Sequence, residues 1–268
     1  MNREATTSSQ HTTGARLLDG RTAIVTGAGQ GVGEGIARAM AAAGANVVIA
    51  ARRVETGEPA AEAIRARGHV AVCMQCDVAS RADIDRVVRD TVERFGALDI
   101  MVHNALSPVG PLAEVQDASD DTWRGLMLTA VRASFSCAQA ALPYLRVRSG
   151  SSYILLTSPA GIEGSGDRAI YGAVKAAQRG FAKSLAREWG PLGIRVNLIG
   201  PVAMTPAMEV AYKANPHLEE RLINRTPLRR IGDPEADIGG VAVFLASDLA
   251  RFVTGQTIIA DGGGFLGL

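Results

Sequence analysis

A chain of 268 residues with 47% hydrophobic side chains can bury the core of one large α/β domain or two small ones. Its 28 Lys+Arg against 27 Asp+Glu leave no basic footprint of the kind that holds nucleic acid, and no apolar run approaches the ~20 residues of a bilayer span. The opening segment, MNREATTSSQHTTGAR, is polar and has no apolar stretch of the kind a secretory signal carries, so residues 1–18 read as a disordered lead-in and the cytoplasm as the compartment.

From there strand-like and helix-like segments alternate. Thr22–Thr26 (TAIVT) is a short β-rich run, followed by glycines and the helical IARAMAAA, which Gly44 closes. NVVIAA (Asn46–Ala51) is the next strand, and a charged helix over Ala60–Arg67 follows it. VAVCMQCDV, a helix over Ile84–Phe95 and LDIMVH continue the pattern. After them come a helix over Trp123–Leu145, the strand SYILLTS, a helix over Tyr171–Trp189 and the strand RVNLIG. A helix over Ala236–Leu245 and the strand QTIIAD end the series. Apolar strands separated by helices predict a parallel sheet of about seven strands, covered on both faces, in a single domain over 19–268. The irregular stretch is Val202–Arg230, where Pro206, Pro216 and Pro227 interrupt short helical pieces. It lies just past a strand's C-terminal end, where ligands bind in such sheets, and reads as a substrate-binding insertion.

Three cysteines argue against a disulfide framework. Cys73 and Cys76 spell C-x-x-C, but on a strand residues three apart point to opposite faces, and no second ligand pair lies nearby. They read as two small buried hydrophobes, and no metal site is expected.

The first strand runs into TGAGQGVGEG, and a helix opens within it. Gly27, Gly31 and Gly33 let the backbone turn tightly and approach a ligand, while the free N–H groups of the helix start suit a pyrophosphate. Strand, glycines, helix and second strand in this order predict a Rossmann-type, doubly wound dinucleotide-binding unit. At the end of that second strand, VVIAARR, Ala51 stands where an NAD-binding unit usually places a carboxylate, and Arg52 follows. A guanidinium there suits a 2′-phosphate, so NADP(H) is favoured over NAD(H).

YGAVK, Tyr171 to Lys175, places a phenol and an ammonium four residues apart, on one face of a helix whose apolar side chains include Ala177, Phe181 and Leu185. Together with the glycine segment it resembles the short-chain dehydrogenase/reductase family, in its common Y-x-x-x-K, 3-oxoacyl reductase-like subtype. The resemblance runs from about Leu18 to Gly264. TGAGQGVG is similar to that family's T-G-x-x-x-G-x-G motif, which implies cofactor contacts at Gly27, Gly29, Gln30, Gly31, Val32 and Gly33. Asp77-Val78 matches its adenine-holding pair, and VHNAL its N-N-A-G segment, with Asn104 and Ala105 kept. Tyr171 and Lys175 match the catalytic pair, and Ser158 stands thirteen residues before Tyr171, where the family keeps a serine. Pro201, Val202 and Met204 correspond to a segment near the nicotinamide.

The resemblance implies hydride exchange between NADP(H) and a carbonyl/alcohol substrate. A free phenol titrates near 10, and a nearby ammonium would bring Tyr171 down towards useful acid–base work. Lys175 would also hold the nicotinamide ribose, and Ser158 would donate to the substrate oxygen. The resemblance also implies a homo-oligomer, a tetramer in many members.

Three departures stand out. The family's fourth catalytic residue, an asparagine seven residues after a tryptophan that positions a water in a proton relay, is Ala130 when counted from Trp123. His103 and Leu106 replace the first asparagine and the glycine of N-N-A-G, and His103 reads as a packed, neutral side chain. Pro201-Val202 replaces the family's P-G, and Thr205 comes one residue early. Two alternatives to a carbonyl reductase follow: an enoyl reductase-like enzyme, and a dinucleotide-binding protein with little catalysis. The substrate itself is set by Val202–Arg230 and by residues near Ile162–Gly166, with Met204, Met208 and Tyr212 as an expected apolar wall.

Overall fold

The computed structural model describes residues 16–107, 114–166, 168–215 and 217–266. The lead-in expected over residues 1–18 therefore lies, up to Ala15, outside the described residues; Leu18 is wholly buried, its N–H on the Ala43 carbonyl.

Among the described residues seven strands form, at Thr22–Thr26 (β1), Asn46–Ala51 (β2), Ala71–Gln75 (β3), Ile100–His103 (β4), Ser152–Leu156 (β5), Arg195–Pro201 (β6) and Thr257–Ala260 (β7). All pair in parallel, in the order β3-β2-β1-β4-β5-β6-β7. Parallel strands need helical crossovers, and they come at Gly31–Ala42 (α1), Val54–Arg65 (α2), Arg81–Phe95 (α3), Asp120–Leu126 (α4), Ala133–Leu145 (α5), Ala160–Glu163 (α6), Ala169–Trp189 (α7), Pro206–Ala214 (α8), His217–Arg225 (α9) and Gly240–Ala246 (α10). A doubly wound α/β sheet is the result, and its strand order reverses between β1 and β4.

Side-chain alternation sends each strand into both layers. Ala23 and Val25 of β1 pack with Ile36 and Met40 of α1 and Ile238 and Leu245 near α10. Ile24, between them, joins Val87 of α3, Cys137 of α5 and Trp189 of α7. Tyr153 and Trp189 meet in that second layer with ring centres 5.8 Å apart and planes tilted by 51°, each wholly or almost wholly buried. The cysteines separate as the strand period requires: Cys73 packs on the first layer and Cys76 on the second. All three thiols are free, and burial pushes that of Cys76 up to about 12.

The structure departs from the sequence reading at the start of α2 and at two π turns. α2 begins at Val54, ahead of the expected Ala60. The long middle helix is interrupted by a wide π turn at Met127–Arg132, and a second π turn, Pro234–Gly239, precedes α10. The Val202–Arg230 stretch holds two helices, α8 capped by the Thr205 hydroxyl (Met208 N–H, 3.2 Å) and α9, and neither buries a side chain. Pro216, between them, lies outside the described residues.

Candidate active site

β1 ends at Thr26, and the chain must turn into α1 within a few residues. Gly27 and Gly31 make that turn at φ of 65° and 60°, a left-handed conformation glycine adopts without strain. Gly33 is required by space: a Cβ there would lie 2.4 Å from Asn104 Nδ2 and 2.6 Å from the Gly27 carbonyl oxygen. The Asn104 amide donates to the Thr26 and Gly27 carbonyls at 3.0 and 3.1 Å, so it braces the glycine loop. Gln30, the residue capping α1, makes no side-chain cap. The first-turn N–H groups are left without a side-chain partner, and an anion completes such a terminus.

A crevice of about 400 Å³ opens at this point. Gly27, Gly29, Gln30, Gly31, Val32, Gly33, Arg52, Asp77, Val78, Asn104 and Ala105 all line it. Tyr171, Lys175, Pro201, Val202 and Met204 do not border it; Val202 instead borders two smaller cavities. Sequence reasoning missed Thr56, Thr129 and Pro206 in the crevice wall. Thr56 belongs to the first turn of α2, and its carbonyl would sit 2.9 Å from a Cβ at Gly29. The signal available for it was the acidic first turn at Glu55, which marks a helix start before Ala60.

At the outer end of the crevice Arg52 and Arg53 are exposed, and among the described residues neither guanidinium is held in an ion pair. Asp77 keeps one carboxylate oxygen on the Ala79 N–H (2.9 Å), while its own N–H donates to Asp83.

The inner end is assembled from β4, β5, α7 and the first π turn. Thr26 Oγ1 accepts the N–H groups of Asn104 and Ala105, each at 3.1 Å, so its single proton goes to His103 Nδ1 at 3.1 Å. His103 Nε2 then carries the hydrogen and donates to the Thr129 carbonyl at 3.0 Å. Burial pushes the imidazole down to about 4, with the Lys175 charge adding to the effect. His103 is thus a neutral brace between β1, β4 and the π turn.

Ser158 follows β5, its Oγ accepting the Ala160 N–H at 3.2 Å, and its hydroxyl acts on the Tyr171 phenol of α7. Burial raises the Tyr171 phenol above its ordinary value, and the Ser158 hydroxyl and the Arg168 charge pull it back. Lys175 is 4% exposed, and burial lowers its ammonium to about 7. The expectation that the Lys175 ammonium brings the phenol down is not met: the phenol is raised, and the groups that pull against burial are Ser158 and Arg168. Lys175 Nζ donates to the Leu156 carbonyl at 2.7 Å and to Gln178 Oε1 at 3.0 Å, and it lies 5.8 Å from the Tyr171 ring centre. Tight packing fixes the pair, since a Cβ on Gly161 of α6 would lie 2.7 Å from the Lys175 backbone. Leu106 joins the two ends: it lines the crevice and packs in one apolar cluster with Ala130 and Tyr171.

A sequence profile described as Enoyl-(Acyl carrier protein) reductase matches residues 27–264, nearly the whole of this sheet and both ends of its crevice. The 3-oxoacyl-[acyl-carrier-protein] reductase of Staphylococcus aureus is 36% identical over 248 residues, which is 92% of this chain and 98% of the relative. The chain belongs to the short-chain dehydrogenase/reductase family. An uncharacterized oxidoreductase of Methylorubrum extorquens is 37% identical over the same length. Among solved structures, a protein of Sinorhizobium meliloti assigned as a short-chain alcohol dehydrogenase superposes with a TM-score of 0.86 at 38% identity, covering 93% of this chain and 98% of that one. A short-chain dehydrogenase/reductase of Brucella melitensis gives 0.85 at 31%, covering 94% and 99%. As a member of this family the protein is an oxidoreductase that works with a nicotinamide cofactor on a small-molecule substrate. No described helix is long and apolar enough to cross a membrane.

Proposed function

We propose that the protein interconverts a carbonyl and an alcohol with NADP(H), and that Ser158, Tyr171 and Lys175 carry the proton chemistry. The supporting observation is the convergence of the three side chains: the Ser158 hydroxyl acts on the Tyr171 phenol, and the buried Lys175 ammonium is held on the Leu156 carbonyl 5.8 Å from the Tyr171 ring centre. The residues fit a dinucleotide. Gly33 leaves a space that a Cβ would fill, the α1 terminus is uncapped, and Arg52 offers an unpaired guanidinium for a 2′-phosphate. Gly27 to Gly33 would hold the pyrophosphate, Asp77 and Val78 the adenine, and Asn104, Ala105, Pro201, Val202 and Met204 the nicotinamide side.

Bound there, the nicotinamide supplies or accepts the hydride. The chain does the rest. Ser158 donates to the substrate oxygen and lowers the cost of charge building there. Tyr171 gives its proton to that oxygen during reduction, or takes it during oxidation. Lys175 places positive charge beside the phenol as it ionises. A cavity of about 110 Å³ between Pro159, Val202, Leu222 and Phe265 adjoins Ser158 through Pro159 and would take the substrate chain. The Staphylococcus relatives make a 3-oxoacyl thioester the first candidate. The profile's enoyl description fits less well, because Tyr171 and Lys175 keep the four-residue spacing of the carbonyl-reducing subtype.

Exposed Trp123 and Phe135 on α4 and α5 support a homo-oligomer, a tetramer by family analogy. The free thiols suit the cytoplasm. The test is consumption of NADPH and of NADH with 3-oxo esters, simple ketones and enoyl esters. NADPH-dependent reduction of a 3-oxo ester supports the reading; activity on enoyl esters alone overturns it.

A further inference from the structure

Ala130 removes a side chain that the reacting end ordinarily draws on, yet the neighbourhood of Lys175 is not short of polar groups. Gln178 is 1% exposed and stands one turn beyond Lys175 on the same face of α7. A lysine ammonium can only donate, so the amide oxygen must face it, and Oε1 lies 3.0 Å from Lys175 Nζ. The amide nitrogen then points the other way. It donates to Ser134 Oγ at 3.0 Å and to the Ala130 carbonyl at 3.3 Å. Ser134 Oγ passes its own proton to the same Ala130 carbonyl at 2.6 Å, which leaves a lone pair for Gln178. The π turn at Met127–Arg132 carries this shared carbonyl, and π turns recur at functional sites.

We propose that Gln178 is the positioning residue for Lys175: its amide ties the ammonium to the Ala130 carbonyl and Ser134, supplying from α7 the polar support that residue 130 lacks. Two of the three ammonium protons are thereby fixed, on Leu156 and Gln178, and the third is left for the Tyr171 side. Gln178 touches neither substrate nor cofactor in this scheme; it acts through Lys175. The inference rests on the assignment of Lys175 to the reacting site.

Among the described residues the groups facing Lys175 are few. Tyr171 shares its helix, and His103 approaches from β4 but titrates near 4 and stays neutral above pH 6. Leu156, Thr157 and Ser158 on the β5 side, and Ala130 and Ser134 from the middle helix, carry no charge; Glu163 of α6 is exposed. A neutral acceptor favours the ammonium. Removing it lowers the lysine's midpoint, and replacing it with a carboxylate raises it.

The chain has three lysines, Lys175, Lys183 and Lys213, so 13C NMR of protein labelled at lysine Cε resolves each titration without any substrate. Lys175→Arg identifies the signal. From a wild-type midpoint near 7, Gln178→Leu is expected to fall by about one pH unit and Gln178→Glu to rise by about one. Opposite shifts are a signature that loss of packing alone does not produce. Should Gln178→Leu fail to fold, the upward shift in Gln178→Glu decides the matter. Coincident midpoints, or shifts of one sign, overturn the proposal. In the ketone assay at pH 7, Gln178→Leu should lose about fivefold in kcat, as the protonated fraction drops from about one half to about one tenth. A Tyr171→Phe protein that still turns over would instead refute the site, whatever the lysine titration shows.

Discussion

The two ends of the crevice are built by different means. The outer end is backbone and empty space: glycines with positive φ, a helix terminus without a cap, and an asparagine spent on two loop carbonyls. Its glycine turn is a local pattern, and the one side chain that braces it, Asn104, comes from the end of β4. The inner end is a knot of buried polar groups brought from β1, β4, β5, α5 and α7; the local bonds Lys175–Gln178 and Ser134–Ala130 are joined there to partners far away in sequence. The outer end is fixed by what must be absent, the inner end by what must be paired. They should therefore fail in different ways.

The largest effect belongs to the inner end. Tyr171→Phe removes the transferable proton and should cut kcat by about 10²–10⁴-fold, the usual contribution of a positioned acid or base. NADPH affinity, measured by fluorescence titration, should stay within about threefold. Loss of binding together with turnover would mean that the two ends are not separable.

Gly33→Ala is the corresponding break at the outer end. Its new Cβ meets the Gly27 carbonyl at 2.6 Å, and backbone must shift to admit it. Overpacking of this kind costs about 1–3 kcal/mol, and the shift displaces the N–H groups assigned to the pyrophosphate. NADPH Kd should rise at least tenfold and Tm should fall. An unchanged Kd would show that the pyrophosphate lies elsewhere.

Arg52→Ala sharpens the outer end without moving backbone. A charge-assisted contact contributes roughly 1.5–3 kcal/mol, and exposure of Arg52 favours the lower figure, so the NADPH-over-NADH preference should shrink about tenfold. A wild-type preference for NADH would refute the 2′-phosphate assignment.

The same division explains what the sequence disclosed. Strands such as TAIVT and the TGAGQGVG turn are local patterns, and the sheet and the phosphate loop follow from them. α2 starts six residues before its expected position and includes Gly57 and Pro59, two residues of low helix propensity. Gly57 is there for space: a Cβ would lie 2.5 Å from Cys73 Sγ. The π turn in MLTAVR has no composition of its own and reads as ordinary helix. Along α7 the apolar stripe was drawn through Ala177, which is exposed, whereas the buried stripe runs through Val174, Lys175, Gln178 and Ala182. A lysine and a glutamine on a core face are not expected from periodicity, because only their mutual pairing makes such burial affordable. That pairing is invisible until the helix is placed beside β5 and the π turn. For the same reason Ala130 looked like a missing part.

Ala130→Asn tests most directly whether the inner end is complete as it stands. Ala130 is wholly buried between Leu126 and Val174, and an amide there enters a packed apolar cluster whose neighbouring polar groups are already paired. Steady-state kinetics of both proteins on one accepted 3-oxo ester should show kcat unchanged or lower, with a loss of stability of about 1–3 kcal/mol. A tenfold or greater rise in kcat at nearly constant KM, roughly 1.4 kcal/mol of barrier, would contradict the account and mark the native site as lacking a part.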